Sequence, residues 1–257
     1  MRQYMPLLVD LTKRDFKVRY LGSLLGSYWN IIHPLMMIFI YTVVFSSVMR
    51  ARLGEDAGPY AYSLYLCSGL LAWNFFAEIS NRGAVALLEN APFLKKIAFP
   101  PAILFGALYA SASINFLISF AIFFAILMLI APVAVGKILV FLLCVALFGL
   151  LGFALAVCLG CLNVFLRDFQ QLTNIVFQLW FWFTPIVYMF DHLPETARQL
   201  LLLNPAWPFI HSFHNLLYFQ RYPDAADWGL MIFWVALAMT LAGWIYRRSI
   251  SLVRDHL

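Results

Sequence analysis

The sequence predicts an all-α integral membrane protein with six transmembrane helices, an N-terminal amphipathic interface helix and short re-entrant outer helices between spans five and six. Three observations carry this expectation. The 257 residues are 64% hydrophobic and 11% charged, with mean hydropathy +0.86, whereas a soluble domain has about a quarter of its residues charged. Six apolar runs, near 31–49, 60–80, 103–131, 138–165, 172–190 and 229–246, have roughly the twenty residues needed to cross a ~30 Å hydrocarbon layer. With the N-terminus inside, 12 of the 17 Lys and Arg residues fall on cytoplasmic segments, as the positive-inside rule requires. The basic balance therefore reports topology, with both termini cytoplasmic, and argues against a nucleic-acid partner.

Residues 1–20 form the first unit. Tyr4, Leu7, Leu8 and Leu11 recur at helical spacing beside Lys13, Arg14 and Lys17, the pattern of a helix lying on the headgroup surface among membrane lipids. No apolar core with a small-residue cleavage site follows Met1, so a secretory signal is not expected. The second unit, 21–257, holds the spans. It begins with a short segment, 21–30, in which Gly22 and Gly26 make a small-residue face and Tyr28 and Trp29 suit the interface. His33-Pro34 marks an expected break at the start of span one.

Span two contains Trp73, Asn74 and Glu78. An acid inside a span is a functional candidate, and Glu78 lies near the cytoplasmic end, within reach of a basic partner such as Arg82. Spans two and three are joined by 89–102, "ENAPFLKKIAFPPA", where Pro92 and Pro100-Pro101 bracket a stretch short enough for one compact helix. Ala107, Ser111 and Asn115 on span three, and Gly152, Ala156 and Gly160 on span four, recur every four residues and make narrow packing ridges. Span five is aromatic: Trp180, Phe183 and nearly Phe177 share one face, while Phe181 and Trp182 point elsewhere. The apolar segment 200–219, interrupted by Asn204-Pro205 and Pro208, reads as two short outer helices.

Catalytic motifs are missing. Gly136-Lys137 is followed by Ile138 and preceded by Ala131 where a P-loop needs its first glycine. Cys158 and Cys161 have no second pair and no histidine at ligand spacing, so no metal site is expected. The close acidic pair Glu55-Asp56 lies in a short outer loop, which disfavours a membrane-embedded acyl- or glycosyltransferase.

"TKRDFKVRYLGSLLGSYWNIIHPLMMIFIYTVVF", "ENAPFLKKIAFPPAIL", "VFLRDFQQL" and "FWFTPIVY" with the later "LNP" together resemble the permease subunits of type 2 ABC exporters. Within these the likeness is to the polysaccharide branch, Wzm-type permeases that export O-antigen, capsule or teichoic acid chains. The resemblance covers essentially the whole chain. It implies a homodimer in a bacterial inner membrane, paired with two separate ABC ATPase subunits that bind ATP and Mg, this chain having no cofactor of its own. It further implies ATPase coupling through the N-terminal helix and the 89–102 loop, at Glu89, Pro92, Phe93, Lys95, Lys96 and Phe99, with the two phenylalanines anchored in an ATPase cleft. A gate beside the access route of a lipid-linked polysaccharide would involve Gly22, Gly26, Tyr28 and Trp29, and Lys13, Arg14, Lys17 and Arg19 would meet its diphosphate. Phe177, Trp180, Phe183 and Tyr188 would line the channel, because apolar sugar faces pack on aromatic rings. An exporter of small hydrophobic drugs or lipids is the alternative within the same superfamily.

Overall fold

The computed structural model describes residues 4–18, 26–49, 61–96, 99–130, 133–166, 168–190 and 193–256. They form α1 (Met5–Val18), a 3-10 turn (Gly26–Tyr28), α2 (Trp29–Met49), α3 (Ala61–Glu89), α4 (Ala91–Lys96), α5 (Ala102–Ile130), α6 (Val135–Phe165), α7 (Phe169–Trp182), α8 (Glu195–Leu201), α9 (Trp207–Leu217) and α10 (Ala225–His256). The all-α expectation holds.

The six-span expectation does not. Among the described residues, three helices are long and apolar enough to cross a membrane: Ala102–Leu129, Val135–Phe165 and Ala225–Ile250. The expected span at 60–80 is part of α3, a 29-residue helix carrying Ser63, Ser68, Asn74, Glu78, Ser80 and Arg82, most of whose surface is buried against other helices. Ser68, Ser80, Glu78 and Arg82 hydrogen-bond to protein groups rather than being excluded. The expected span at 172–190 ends as a helix at Trp182, after 14 residues. At a rise of about 1.5 Å per residue that is roughly 21 Å, short of the hydrocarbon thickness. In α2 the apolar stretch found is Ile31–Tyr41, shorter than a span. The break expected at His33-Pro34 is also absent, since Pro34 sits inside a continuous α2.

Close packing of small residues sets the centre of the bundle. α3 and α6 run against each other along much of their length, and they meet where Gly83 faces Ala156 and Gly160. A Cβ built on Gly83 would fall 2.2 Å from the Ala156 Cβ, and one on Gly160 would fall 2.7 Å from the Gly83 carbonyl oxygen. Around this contact an aromatic core extends toward one end of the bundle: Phe76 stacks on Phe148 with centroids 4.3 Å apart, Phe148 on Phe209 at 4.8 Å, and Phe141 meets Phe213 at 5.0 Å. Such offset ring pairs add about 0.5–1.5 kcal/mol each to the burial of their area.

Two short helices do follow α7: α9 lies within the expected 200–219, whereas α8 starts earlier, at Glu195, and α9 is buried almost all round by α3, α6 and α10. Asn204 holds their junction. Its Oδ1 accepts from Trp180 Nε1 at 2.7 Å and from the Ala206 amide at 3.0 Å, and its Nδ2 donates to Thr184 Oγ1 at 2.9 Å. Replacing Asn204 by Ala strands these groups in a half-buried site. A stability loss of about 2–3 kcal/mol is expected, read from the thermal midpoint in detergent; an unchanged midpoint would show the junction to be held by packing alone.

α1 and the end of α10 lie at the same end of the bundle. Thr12 on α1 approaches the Ala107 carbonyl on α5 at 3.4 Å, and the Ala102 amide that starts α5 donates to the Tyr246 hydroxyl at 3.1 Å.

Candidate functional site: the junction of α1, α3, α4 and α5

The amphipathic pattern of α1 has a definite target. Leu11 and Thr12 are buried, and Leu8 packs so close to α5 that a Cβ on Gly106 would lie 3.3 Å from its Cδ1. Thr12 Oγ1 donates to the Leu8 carbonyl at 2.8 Å, which removes its hydroxyl from competition with water. The apolar stripe therefore packs on protein, and the polar face carries the chemistry.

Two hydrogen-bonded links leave that face, from Asp15 and from Arg14. Asp15 pairs with Arg82 on α3, and Arg82 Nη1 also reaches Glu78 Oε1 at 3.4 Å. Glu78 Oε2 accepts from Asn115 Nδ2 on α5 at 3.1 Å. Arg14 donates to Asn90 Oδ1 at 2.7 Å, and its guanidinium stands 5.0 Å from the centroid of Phe93 on α4. Asn90 is itself fixed, because its Nδ2 donates to the Ala86 carbonyl at 2.9 Å. These side chains are about a third exposed or less in the Arg82 pairs, where ion pairs are worth more than the ~0–1 kcal/mol of a fully solvated one. The chain Asp15–Arg82–Glu78–Asn115 ties α1, α3 and α5 into one unit, and Arg14–Asn90 adds α4.

A cavity of about 90 Å³ lies beneath this junction, lined by Leu11, Arg14, Asp15, Arg82 and Asn90. A second, of about 220 Å³, is lined by Glu78, Asn115, Asn74, His33 and Ser119 among apolar neighbours on α2, α3 and α5. Glu78 borders the second cavity and pairs with Arg82, which borders the first.

Of the residues expected to couple to a partner, Glu89, Pro92, Lys95 and Lys96 are exposed, and Phe93 is half-buried under Arg14. Phe99 is only 3% exposed and meets Phe93 edge-on at 6.3 Å. Its expected insertion into an ATPase cleft is corrected: Phe99 belongs to the core and fixes the base of α4. Of the expected gate residues, Lys13, Arg14, Lys17, Tyr28 and Trp29 are exposed, Gly26 takes φ +48° at the turn into α2, and Arg19 and Gly22 lie outside the described residues. The positive φ at Gly26 is the reason glycine stands there.

The expected channel aromatics separate. Phe177 is buried, and Trp180 is half-buried with its centroid 5.4 Å from that of Phe76 and 5.9 Å from that of Trp73; both serve the protein interior in this chain. Tyr188 is half-buried and donates to the Trp182 carbonyl at 3.1 Å. Phe183 is 69% exposed. Phe183 is the C-cap of α7, with helical backbone and its amide donating to the Leu179 carbonyl at 3.0 Å, so it continues the Phe177–Trp180 face but lies exposed at the helix end.

Sequence reasoning found the Glu78–Arg82 pair from its i, i+4 spacing. It missed Asp15 and Asn90, whose partners lie 67 and 76 positions away. A carboxylate on the polar face of an otherwise basic helix was the available signal for Asp15.

The ABC-2 type transporter family model matches residues 7–218. The chain is 31% identical over 230 residues to an O-antigen export system permease protein RfbA of Myxococcus xanthus, covering 87% of this chain and 84% of the relative. Two RfbA permeases of Klebsiella pneumoniae, described in the same words, are 28% and 27% identical, each over 222 residues, 82% of this chain and 79% of the relative.

Proposed function

The chain belongs to the ABC-2 type transporter family, and from that premise we propose that it is the permease subunit of an ATP-driven exporter of a polyprenyl-diphosphate-linked polysaccharide, of the O-antigen kind. The carrying observation is the similarity to O-antigen export permeases over more than four-fifths of the chain. On this reading two copies form the translocation path in a bacterial inner membrane, both termini face the cytoplasm, and two separate ABC ATPases bind ATP and Mg and supply the work. The chain itself is a transport subunit.

The exposed surface of α4 supports an ATPase contact. Pro92, Lys95 and Lys96, with Glu89 beside them, project from a helix whose other side is held by Phe99 and Arg14. A force on α4 therefore meets a braced support and passes to α1 through Arg14 and to α3 through the chain at Asn90. Among the described residues of that set, Lys13 and Lys17 are exposed on α1 outside the junction and would meet a diphosphate, whereas Arg14 is engaged with Asn90. Tyr28 and Trp29, at the turn marked by Gly26, form the gate beside them. Phe183, with the neighbouring exposed Trp182, is the aromatic surface that a second copy would enclose.

The test is Lys95→Glu with Lys96→Glu in cells that depend on this chain. We expect the chain to remain in the membrane, its ATPase to be lost on co-purification, and surface glycan to fall at least tenfold. Normal glycan with this double charge reversal would reject the contact. Normal glycan in cells lacking the chain altogether would reject polysaccharide export and leave an exporter of small hydrophobic compounds as the reading.

A further inference from the structure

At the end of the bundle opposite α1, a cavity of about 190 Å³ opens between α3, α9 and the segment leading into α10. It has room for about six waters at ~30 Å³ each. Its polar lining includes His211, His214 and Asn215 from α9 and Arg221 from the segment that follows, beside Tyr65 and Trp207.

The orientation of these groups is determined by their other contacts. His211 Nδ1 lies 3.2 Å from Asp227 Oδ1, so a ring proton belongs on Nδ1, and Asn215 Nδ2 stands against the ring, 3.4 Å from Nδ1 and 3.3 Å from Nε2. Asn215 Oδ1 accepts no hydrogen bond among the described residues. The Arg221 guanidinium likewise makes no hydrogen bond or ion pair among them. His214, 3% exposed and stacked on Tyr65 with centroids 3.6 Å apart, has an Nε2 with no hydrogen bond of acceptable geometry. Burial, with a further contribution from His211 and against the nearby Tyr65 carbonyl, holds its pKa down at about 3, so the ring is neutral. The ring fits because α3 has Gly69 beneath it: a Cβ there would stand 2.9 Å from His214 Nε2.

Arg221 is placed by a strained turn. Gln220 is the one non-glycine residue with positive φ among the described residues, at +55°, a conformation costing about 1–2 kcal/mol. Three hydrogen bonds hold it: Lys137 Nζ donates to Gln220 Oε1 at 2.8 Å, Gln220 Nε2 to the Leu217 carbonyl at 3.0 Å, and the Arg221 amide to the Asn215 carbonyl at 2.7 Å. Strain that its surroundings over-determine in this way is a mark of functional sites.

The unpartnered set alternates in character: a cationic donor fork, an amide acceptor and a neutral imidazole. An anion would meet Asn215 Oδ1 and the nearby Asp227 carboxylate, and a cation would meet Arg221. A neutral hydroxyl both donates and accepts, and so suits all three. Phe190 and Phe219 also line the cavity; Phe190 is stacked on Trp207 at 4.2 Å with Arg198 over its ring at 5.6 Å, and Phe219, exposed at the cavity's edge, supplies a ring for the apolar C–H face of a sugar. We propose that this cavity binds one neutral sugar residue of a saccharide chain. The proposal rests on the polysaccharide export reading and adds to it a sugar site at the end of the bundle remote from the α1 junction.

The test uses the full chain in lipid nanodiscs. The probes are methyl glycosides of the sugars found in the surface polysaccharide of the cells that make the protein, observed by saturation-transfer NMR. At least one glycoside is expected to receive saturation through its ring C–H protons, with its apparent Kd raised at least fivefold in Arg221→Gln and in Asn215→Ala. Both variants are first checked for an unchanged elution profile and thermal midpoint; should Asn215→Ala fail that check, Arg221→Gln alone decides. The site is overturned if no glycoside receives saturation, if binding is the same in the variants, or if inorganic phosphate displaces the glycosides in competition. Surface glycan in cells carrying the wild-type chain is measured in parallel. Restored glycan without glycoside binding removes this site alone, and unrestored glycan removes the export reading.

Discussion

A Gly83→Leu chain is expected to lose the folded bundle. The α3 backbone at this point lies so close to α6 that even a methyl group would meet the Ala156 Cβ at 2.2 Å and its Cα at 2.6 Å, distances no side chain can relieve by rotation because one contact is backbone. Overpacking costs typically about 1–3 kcal/mol where neighbours can shift. Here α3 and α6 would have to separate, disturbing the stack of Phe76 on Phe148 beside them, so the loss should reach or exceed the top of that range. In detergent the variant should aggregate or melt well below the parent. Gly83→Ala should fall between the two, and adding Ala156→Gly should recover part of its loss. A normal midpoint for Gly83→Leu would mean that the two helices do not pack this closely.

The second large effect is expected at Arg82. Replacing it by Gln leaves the carboxylates of Asp15 and Glu78, which border separate cavities, without their shared cation, and Asp15 Oδ2 is already buried without a hydrogen-bond partner. Loss of one partner from a shielded pair costs more than the pair contributes, because the charge left behind is poorly hydrated; with about a third of each side chain still exposed, roughly 1–3 kcal/mol is expected. α1 should detach before the bundle unfolds, which limited proteolysis between α1 and α2 would show as faster cleavage. Asp15→Asn should produce the same cleavage, and the double variant Asp15→Asn with Arg82→Gln should be less harmful than the sum of the two. Additive effects would mean that the two side chains act independently.

Much of the helical plan was legible because it depends on local pattern. The apolar runs of α5 and α6 are continuous, the 3.6-residue stripe of α1 is regular, and prolines on either side leave α4 the length of one short helix. Gly152, Ala156 and Gly160 announced a close contact by their spacing, although not that Gly83 would be its partner. The crossings were overcounted because hydropathy treats an apolar run as lipid-facing. α3 has such a run but is largely enclosed by protein, and its Ser68, Ser80, Glu78 and Arg82 find partners there. α7 has one too, but its helix stops at Trp182 and Asn204 takes up the turn that follows.

The sequence by itself determined the membrane class, the helical content, the missing P-loop and the family likeness, since each follows from composition, period or a contiguous motif. Only the tertiary structure decided which side chains are available. Phe99 and Phe177 are buried, while Phe183 is exposed, and nothing in their local sequence separates them. The Asp15–Arg82 pair and the sugar-sized cavity at the far end are likewise made by segments far apart in the chain. The physical reason is that helix formation reads neighbours within a few residues, whereas burial and pairing depend on which helix faces come together.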